Sequence, residues 1–127
     1  MSVRPDPDVF TAVLDGIADS LRTRLPNATV VTATYPRVAS MLPVRERTEA
    51  RIDSGIEAIN RAIRTVAARR NLVCLEWAGH SGVDDPENFA ADRLHPSSLG
   101  HRRAAAAFVA GLAEALGVDE TGKDAAA

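Results

Sequence analysis

Two short apolar segments, residues 28–34 and 72–76, stand on either side of a long amphipathic segment, and this alternation constrains the fold most strongly. The first segment is rich in β-branched residues and lies between Asn27 and Pro36. In neither segment do apolar and polar side chains alternate cleanly, which is typical of strands in a parallel sheet that is covered on both faces. We therefore predict two strands that are buried on both faces.

The segment between these strands predicts an amphipathic helix that packs on a sheet. Its apolar residues recur in steps of four and three, which defines one helical face: Ile52, Ile56, Ile59, Ile63 and Val66. Charged residues lie off this face (Arg51, Glu57, Arg61 and Arg64), and the spacing of Glu57 and Arg61 suits an ion pair. The apolar face is too short for a coiled-coil seam, so packing on a sheet is favoured.

Helices are also predicted before and after this strand–helix–strand unit. Asp6 and Pro7 are typical of an N-cap and a first helical residue, and the periodic apolar pattern that follows ends at Pro26. Near the C-terminus, Ser97 or Ser98 is expected to cap a last helix that ends at Gly117. The order helix, strand, helix, strand, helix predicts an α/β fold with a parallel sheet.

The predicted sheet is narrower than its strands require. Strands covered on both faces normally lie inside a wider parallel sheet, whereas two strands leave two open edges. We therefore expect residues 1–117 to form the C-terminal part of one domain whose N-terminal strands are missing. Residues 118–127 are expected to form a disordered tail.

Composition and charge argue against several functional classes. The formal net charge is -2 and only 4% of the residues are aromatic, so nucleic acid is not an expected partner. No apolar stretch approaches the roughly 20 residues of a membrane-spanning helix, and the N-terminus has no signal-peptide core. The single cysteine, Cys74, is expected to be a small buried hydrophobe. We expect a cytoplasmic protein with no membrane partner.

The densest group of candidate catalytic residues lies in residues 80–101, after the second strand. Sites in open α/β sheets form at the carboxyl ends of the strands. Asp92 and His95 are spaced so that the carboxylate can accept a hydrogen bond from one ring nitrogen and leave the other free as a base. The same spacing fits an ordinary capping turn, in which Asp92 binds backbone amides and His95 is simply exposed.

Two other interpretations of this loop have weaker support. Gly79-His80-Ser81-Gly82 partly matches a nucleophile elbow, but Val83 stands where that motif requires glycine. Six side chains are conceivable metal ligands, although their spacing matches no standard zinc pattern: His80, Asp84, Asp85, Asp92, His95 and His101. We therefore predict no metal site and no cofactor.

The segment from Asp92 to His101, Asp-Arg-Leu-His-Pro-Ser-Ser-Leu-Gly-His, precedes an alanine-rich helix and resembles the last sequence block of the SGNH or GDSL serine hydrolases. A more general similarity of pattern extends from Val9 to Gly117. This resemblance implies an esterase or lipase with a flavodoxin-like, three-layer α/β/α fold. It also implies that His95 is the general base, that Asp92 orients it, and that His101 is a structural polar residue.

The chain departs from this family at its nucleophile. The Gly-Asp-Ser-Leu block and the Gly-x-Asn-Asp segment that supplies the oxyanion hole do not occur in the 127 residues. Acyl transfer needs both groups beside the base, so we expect the chain alone to be inactive. A small ester would be its substrate only after completion by an N-terminal half. The alternative is a non-catalytic module that associates with itself or another chain through an exposed sheet edge.

Overall fold

The computed structural model describes residues 6–119, and most of the predicted tail, residues 120–127, lies outside this range. The described chain alternates helices and strands: α1 (Pro7–Arg24), β1 (Val31–Ala33), α2 (Glu46–Arg70), β2 (Val73–Leu75) and α3 (Ser98–Leu116). Short 3-10 turns lie at Ala39–Met41, Trp77–Gly79 and Pro86–Asn88. The two strands pair in parallel. This confirms the predicted α/β class and the order of the elements.

The helix ends follow the predicted capping residues. The Asp6 carboxylate accepts the backbone N–H of Asp8 and so begins α1. The Ser97 hydroxyl accepts the N–H of Gly100 at 3.0 Å and begins α3, which ends at Gly117 in the left-handed conformation. The Val118 N–H bonds to the Ala113 carbonyl at 3.0 Å, just after the end of α3.

Helices α2 and α3 cover opposite faces of the sheet. Neighbouring residues of a strand point to opposite faces, so Cys74 and Leu75 mark the two sides of β2. Arg64 of α2 donates to Glu76 at 2.8 Å, two residues beyond Cys74, whereas a Cβ atom on Gly111 of α3 would lie 3.3 Å from Leu75 Cδ2. The arrangement is therefore helix, sheet, helix. Cys74 is half-buried and not fully buried as predicted, and this burial raises the pKa of its thiol.

The core lies along α2, as its apolar face predicts. Val66 and Ile63 are buried, and α2 contacts both strands and α1. On the outer face of α2, Glu57 and Arg61 form the predicted pair at 3.6 Å. Arg70, near the end of α2, holds α1 through Asp15 at 2.7 Å and Asp19 at 2.8 Å. The contacts of α2 with both strands confirm the prediction that this helix packs on a sheet.

The prediction that both strands are buried on both faces was wrong. Every residue of β1 and β2 is at least partly accessible, and Val31 is 39% exposed. The strands are also shorter than predicted, at residues 31–33 and 73–75. The physical reason is that each strand has one neighbour and that α3 packs mainly against β2, which leaves the α3 side of β1 poorly covered.

One face of α1 is likewise uncovered. Four aliphatic side chains spaced by four residues are 38–58% exposed: Val9, Val13, Ile17 and Leu21. We call this set the α1 ridge. Within residues 6–119, none of the helices combines the length and apolar character needed to span a bilayer.

Candidate active site

The carboxyl ends of the two strands are joined by a buried threonine. Thr34 follows β1, is 3% exposed, and accepts the Ala78 N–H at 2.9 Å through its hydroxyl oxygen. Its hydroxyl also lies 3.5 Å from a carboxylate oxygen of Glu76, which binds Arg64 of α2. The edge of the sheet at which sites form in α/β proteins is therefore fixed by side-chain bonds.

A second buried polar residue, Asn60 of α2, holds the chain that leaves β1. Its Oδ1 accepts the Tyr35 N–H at 2.7 Å, and its Nδ2 donates to the Tyr35 carbonyl at 2.9 Å. Asn60 is 4% exposed, so both groups are paired away from water. Asn60 was not among the residues predicted from the sequence, although an amide beside Ile59 and Ile63 on a buried helical face was a signal for it.

The loop after β2 is tied to the start of α3. Arg103 donates to Asp85 at 3.0 Å and to the side-chain oxygen of Asn88 at 2.8 Å. The Ser97 hydroxyl donates to the Glu87 carbonyl at 2.6 Å, and the Ser97 N–H bonds to the Asn88 carbonyl at 2.8 Å. The pKa of Asp85 is lowered, mainly because its carboxylate accepts the backbone N–H of Glu87. Desolvation opposes this effect in part, and Arg103 adds to it. These bonds fix the entry of the chain into α3.

Asp92 and His95 lie on a tight turn within this loop. Phe89 and Pro96 form an antiparallel bridge, and the Ala90 N–H bonds to the His95 carbonyl at 2.7 Å. Arg93 closes the turn with a φ of 59°, in the left-handed region. The backbone therefore folds back on itself and brings the two side chains together.

The carboxylate of Asp92 bonds to both the backbone and the imidazole. One oxygen, Oδ1, accepts the N–H groups of Leu94 and His95, each at 2.9 Å. The other oxygen lies 2.6 Å from Nδ1 of His95. The capping turn and the carboxylate–imidazole pair, which the sequence left as alternatives, are thus present together.

The electrostatics of the pair favour an ionised carboxylate. The bond to the His95 side chain, followed by the bonds from the two backbone N–H groups, lowers the pKa of Asp92 to about 2. An ionised Asp92 accepts a proton-bearing Nδ1, so the neutral imidazole keeps its lone pair on Nε2. Within residues 6–119, no hydrogen bond engages Nε2, and the His95 side chain is 74% exposed. This nitrogen can accept a proton from a bound group.

The other sequence-predicted candidates do not join this pair. Ser97 uses its hydroxyl on Glu87 and Gly100, and His101 is exposed on α3. A nucleophile elbow requires a turn from a strand directly into an α-helix, whereas the Gly79–Gly82 segment is followed by further turn residues. His80 Nδ1 donates to the Ser81 carbonyl at 3.0 Å. Among the described residues, no three His, Cys, Asp or Glu side chains are grouped to hold a metal ion.

A cavity of about 880 Å³ opens beside the turn that carries the pair. Leu94 and Pro96, the two chain neighbours of His95, both line it. Trp77 also lines it and stacks on Phe108 of α3, with ring centroids 4.9 Å apart. The turn that carries the pair therefore borders this cavity, while Asp92 and His95 themselves are not among its lining residues.

Fold and site together define an α/β protein with a carboxylate–imidazole pair just ahead of its last helix, at the carboxyl end of a parallel sheet. Pairs of this kind activate nucleophiles in hydrolases. The family model described as GDSL-like Lipase/Acylhydrolase family matches residues 1–103, and the chain belongs to this family. No curated protein and no solved structure gives a match to the chain.

Proposed function

We propose that Asp92 and His95 are the acid–base part of an acyl-ester hydrolase site whose nucleophile lies outside this chain. The observation that carries the proposal is the 2.6 Å contact between the Asp92 carboxylate and His95 Nδ1, which leaves Nε2 unengaged by any residue in the range 6–119. Membership of a lipase and acylhydrolase family supports it. The substrate class is a small ester.

In this mechanism His95 is the general base. Its Nε2 takes the proton of a serine hydroxyl while the serine oxygen bonds to the ester carbonyl carbon. The resulting imidazolium is stabilised by Asp92 and returns the proton to the leaving alcohol as the ester C–O bond breaks. Water then attacks the acyl-serine by the same route, releasing the acid and regenerating the serine.

The nucleophile and the oxyanion donors must come from a second polypeptide segment. Neither Gly-Asp-Ser-Leu nor Gly-x-Asn-Asp occurs in the 127 residues, and the Ser97 hydroxyl is engaged by Glu87 and Gly100. A base with its orienting carboxylate gives little acceleration on its own, because the triad acts as a unit. The chain alone is therefore inactive towards esters.

A complementation assay tests this proposal. The chain is mixed with, or fused to, the N-terminal half of a GDSL-like esterase that carries both missing motifs, and p-nitrophenyl butyrate hydrolysis is followed. Activity is expected only in the completed protein, and His95→Ala or Asp92→Asn should lower it by about three to four orders of magnitude. Asp84→Asn, a change at an exposed carboxylate of the same loop, should leave it unchanged. Hydrolysis by the chain alone that His95→Ala abolishes would contradict the proposal.

A second candidate function is association through the outer edge of β1. The Thr34 N–H bonds to Leu75 and the Val73 N–H bonds to Val30, so the backbone groups of Val31 and Ala33 point away from β2. Such an edge is a template for another strand. The uncovered α1 ridge, defined above, adds apolar area that a partner would bury.

Sedimentation velocity over a range of concentrations tests this second candidate. The proposal predicts an association that Ile17→Lys on the α1 ridge weakens. The matched change Thr23→Lys, at an exposed polar position of α1, should have no effect. A chain that stays monomeric at every concentration would rule out self-association.

A further inference from the structure

A second, smaller cavity lies between the loop after β1 and the turn that carries Asp92 and His95. Its volume of about 420 Å³ falls within the range of roughly 300–1,000 Å³ that small-molecule sites occupy. We call it the Arg93 cleft, and its lining residues are Met41 from the first loop and, from the second, Pro86, Phe89, Ala90, Ala91 and Arg93. Five of these six side chains are apolar, so the one charged side chain determines which ligand the cleft can recognise.

That charged side chain, Arg93, has no partner of its own. Within residues 6–119, no hydrogen bond and no ion pair engages its guanidinium, and the residue is exposed. The arginine that lines the larger cavity differs in this respect, because Arg103 donates to Asp85 at 3.0 Å and to the Asn88 side-chain oxygen at 2.8 Å. Arg93 therefore presents five unused N–H donors at the cleft.

The carboxylates that adjoin the lining residues in the chain are already engaged elsewhere. Asp85 and Glu87, on either side of Pro86, lie 3.0 Å and 3.8 Å from Arg103. Asp92, next to Arg93, uses one oxygen on two backbone N–H groups and the other on the His95 imidazole. None of these three carboxylates pairs with Arg93, so the positive charge at the cleft is complementary to an anion from outside the chain.

The backbone of Arg93 supports the same conclusion. Its φ of 59° lies in the left-handed region, which glycine adopts without strain and a long side chain adopts at a cost. No bond of its guanidinium within residues 6–119 offsets this cost. A strained residue that the surrounding structure does not need points to a role in binding.

The walls and the single charge define the class of ligand. One guanidinium balances one negative charge, and its planar fork matches the two oxygens of a carboxylate. A phosphate dianion would bring a second charge against apolar walls without a cation to balance it. Phe89 and Met41 supply an aromatic ring and a thioether, which pack well against a planar apolar group.

We propose that the Arg93 cleft is a binding site for a small aromatic carboxylate, with the guanidinium of Arg93 on the carboxylate and Phe89 and Met41 against the ring. Binding of this ligand needs neither a nucleophile nor an oxyanion hole. The proposal is therefore independent of the ester hydrolysis proposed for Asp92 and His95.

Fluorine NMR titration of the chain with three matched probes tests the ligand class. The probes are 4-fluorobenzoate, the neutral 4-fluorobenzamide of similar size and shape, and 4-fluorophenyl phosphate, which carries two charges. We expect saturable binding of 4-fluorobenzoate and a Kd about tenfold higher for each of the other two.

Substitutions locate the site and separate binding from folding. Arg93→Gln should raise the Kd for 4-fluorobenzoate about tenfold, whereas Arg102→Gln, at an exposed arginine that lines neither cavity, should leave it unchanged. Arg93→Gly should also lose the binding and yet keep the Tm at least as high, because it relieves the left-handed backbone. Ala91→Phe should fill the cleft and abolish binding, and Ala105→Phe on α3 should preserve it.

The probe series on the unaltered chain decides the proposal even where a variant fails to fold. Absence of saturable 4-fluorobenzoate binding, equal affinity for the amide, or tighter binding of the phosphate would each overturn it. Equal affinities of Arg93→Gln and Arg102→Gln would overturn the assigned location. Complementation is measured separately, so either proposal can fail without the other.

Discussion

Gly100 lies directly against the backbone of Asn88, so close that a Cβ atom on Gly100 would come within 2.0 Å of the Asn88 carbonyl oxygen. That same carbonyl accepts the Ser97 N–H, which fixes the start of α3. Glycine at this position therefore lets the last helix approach the loop that leads to Asp92 and His95. A side chain of any size would force the two apart.

Gly100→Ala should lower the free energy of unfolding by about 1–3 kcal/mol, because the obstructing atom belongs to backbone and cannot rotate away. Urea denaturation measures the change. Gly16→Ala on α1 is the matched control, since a Cβ atom there meets nothing within 4 Å. It should stabilise the chain by about 0.5–1 kcal/mol through helix propensity. An equal effect of the two substitutions would contradict the close approach.

Ser97→Ala should lower the free energy of unfolding by about 1–2 kcal/mol. The substitution removes both the cap on the Gly100 N–H and the bond to the Glu87 carbonyl. Ser98→Ala is the control, because Ser98 is the first residue of α3 and the cap comes from Ser97. Thermal unfolding followed by circular dichroism compares the two variants. A larger loss of stability in the Ser98 variant would show that the cap has been assigned to the wrong serine.

Asn60→Leu should cost about 1–3 kcal/mol of stability, since it leaves the N–H and the carbonyl of Tyr35 without their buried partners. Thr65→Leu changes an exposed position of the same helix and should stay within about 0.5 kcal/mol of the unaltered chain. Amide hydrogen exchange at Tyr35 is the specific readout. Exchange that is no faster in Asn60→Leu would contradict this assignment.

The sequence predicted the elements and the Asp92–His95 pair, because local patterns determine both. Capping residues, the apolar face of α2 and the Asp-x-x-His spacing all act within a few turns of chain. The exposure of Val31 and the contact of Gly100 with Asn88 depend on how distant segments pack, which no local pattern records. The local pattern places the Asn60 amide on a buried helical face, but its partner Tyr35 lies 25 residues away and cannot be predicted from that pattern.

The pKa of Asp92 gives a direct measure of its contact with His95. It lies at about 2, below the ordinary value of 3.8, so the folded turn prefers the deprotonated carboxylate. The stabilisation is therefore complete above about pH 4 and is lost as the pH falls towards 2. In His95→Ala the pKa should rise and yet stay below 3.8, because the two backbone N–H bonds remain. Carbon-detected NMR titration measures it, and an unchanged pKa would show that the imidazole contributes nothing.

Covalent labelling with a fluorophosphonate tests the central proposal most directly. The reagent bonds to an activated serine oxygen as fluoride leaves, and mass spectrometry identifies the modified residue. We predict no adduct on this chain alone. In the completed protein, we predict an adduct on the serine of the added half. That adduct should form far more slowly in the His95→Ala variant. An adduct on Ser81, Ser97 or Ser98, or labelling of the added serine at the same rate without His95, would contradict the proposal.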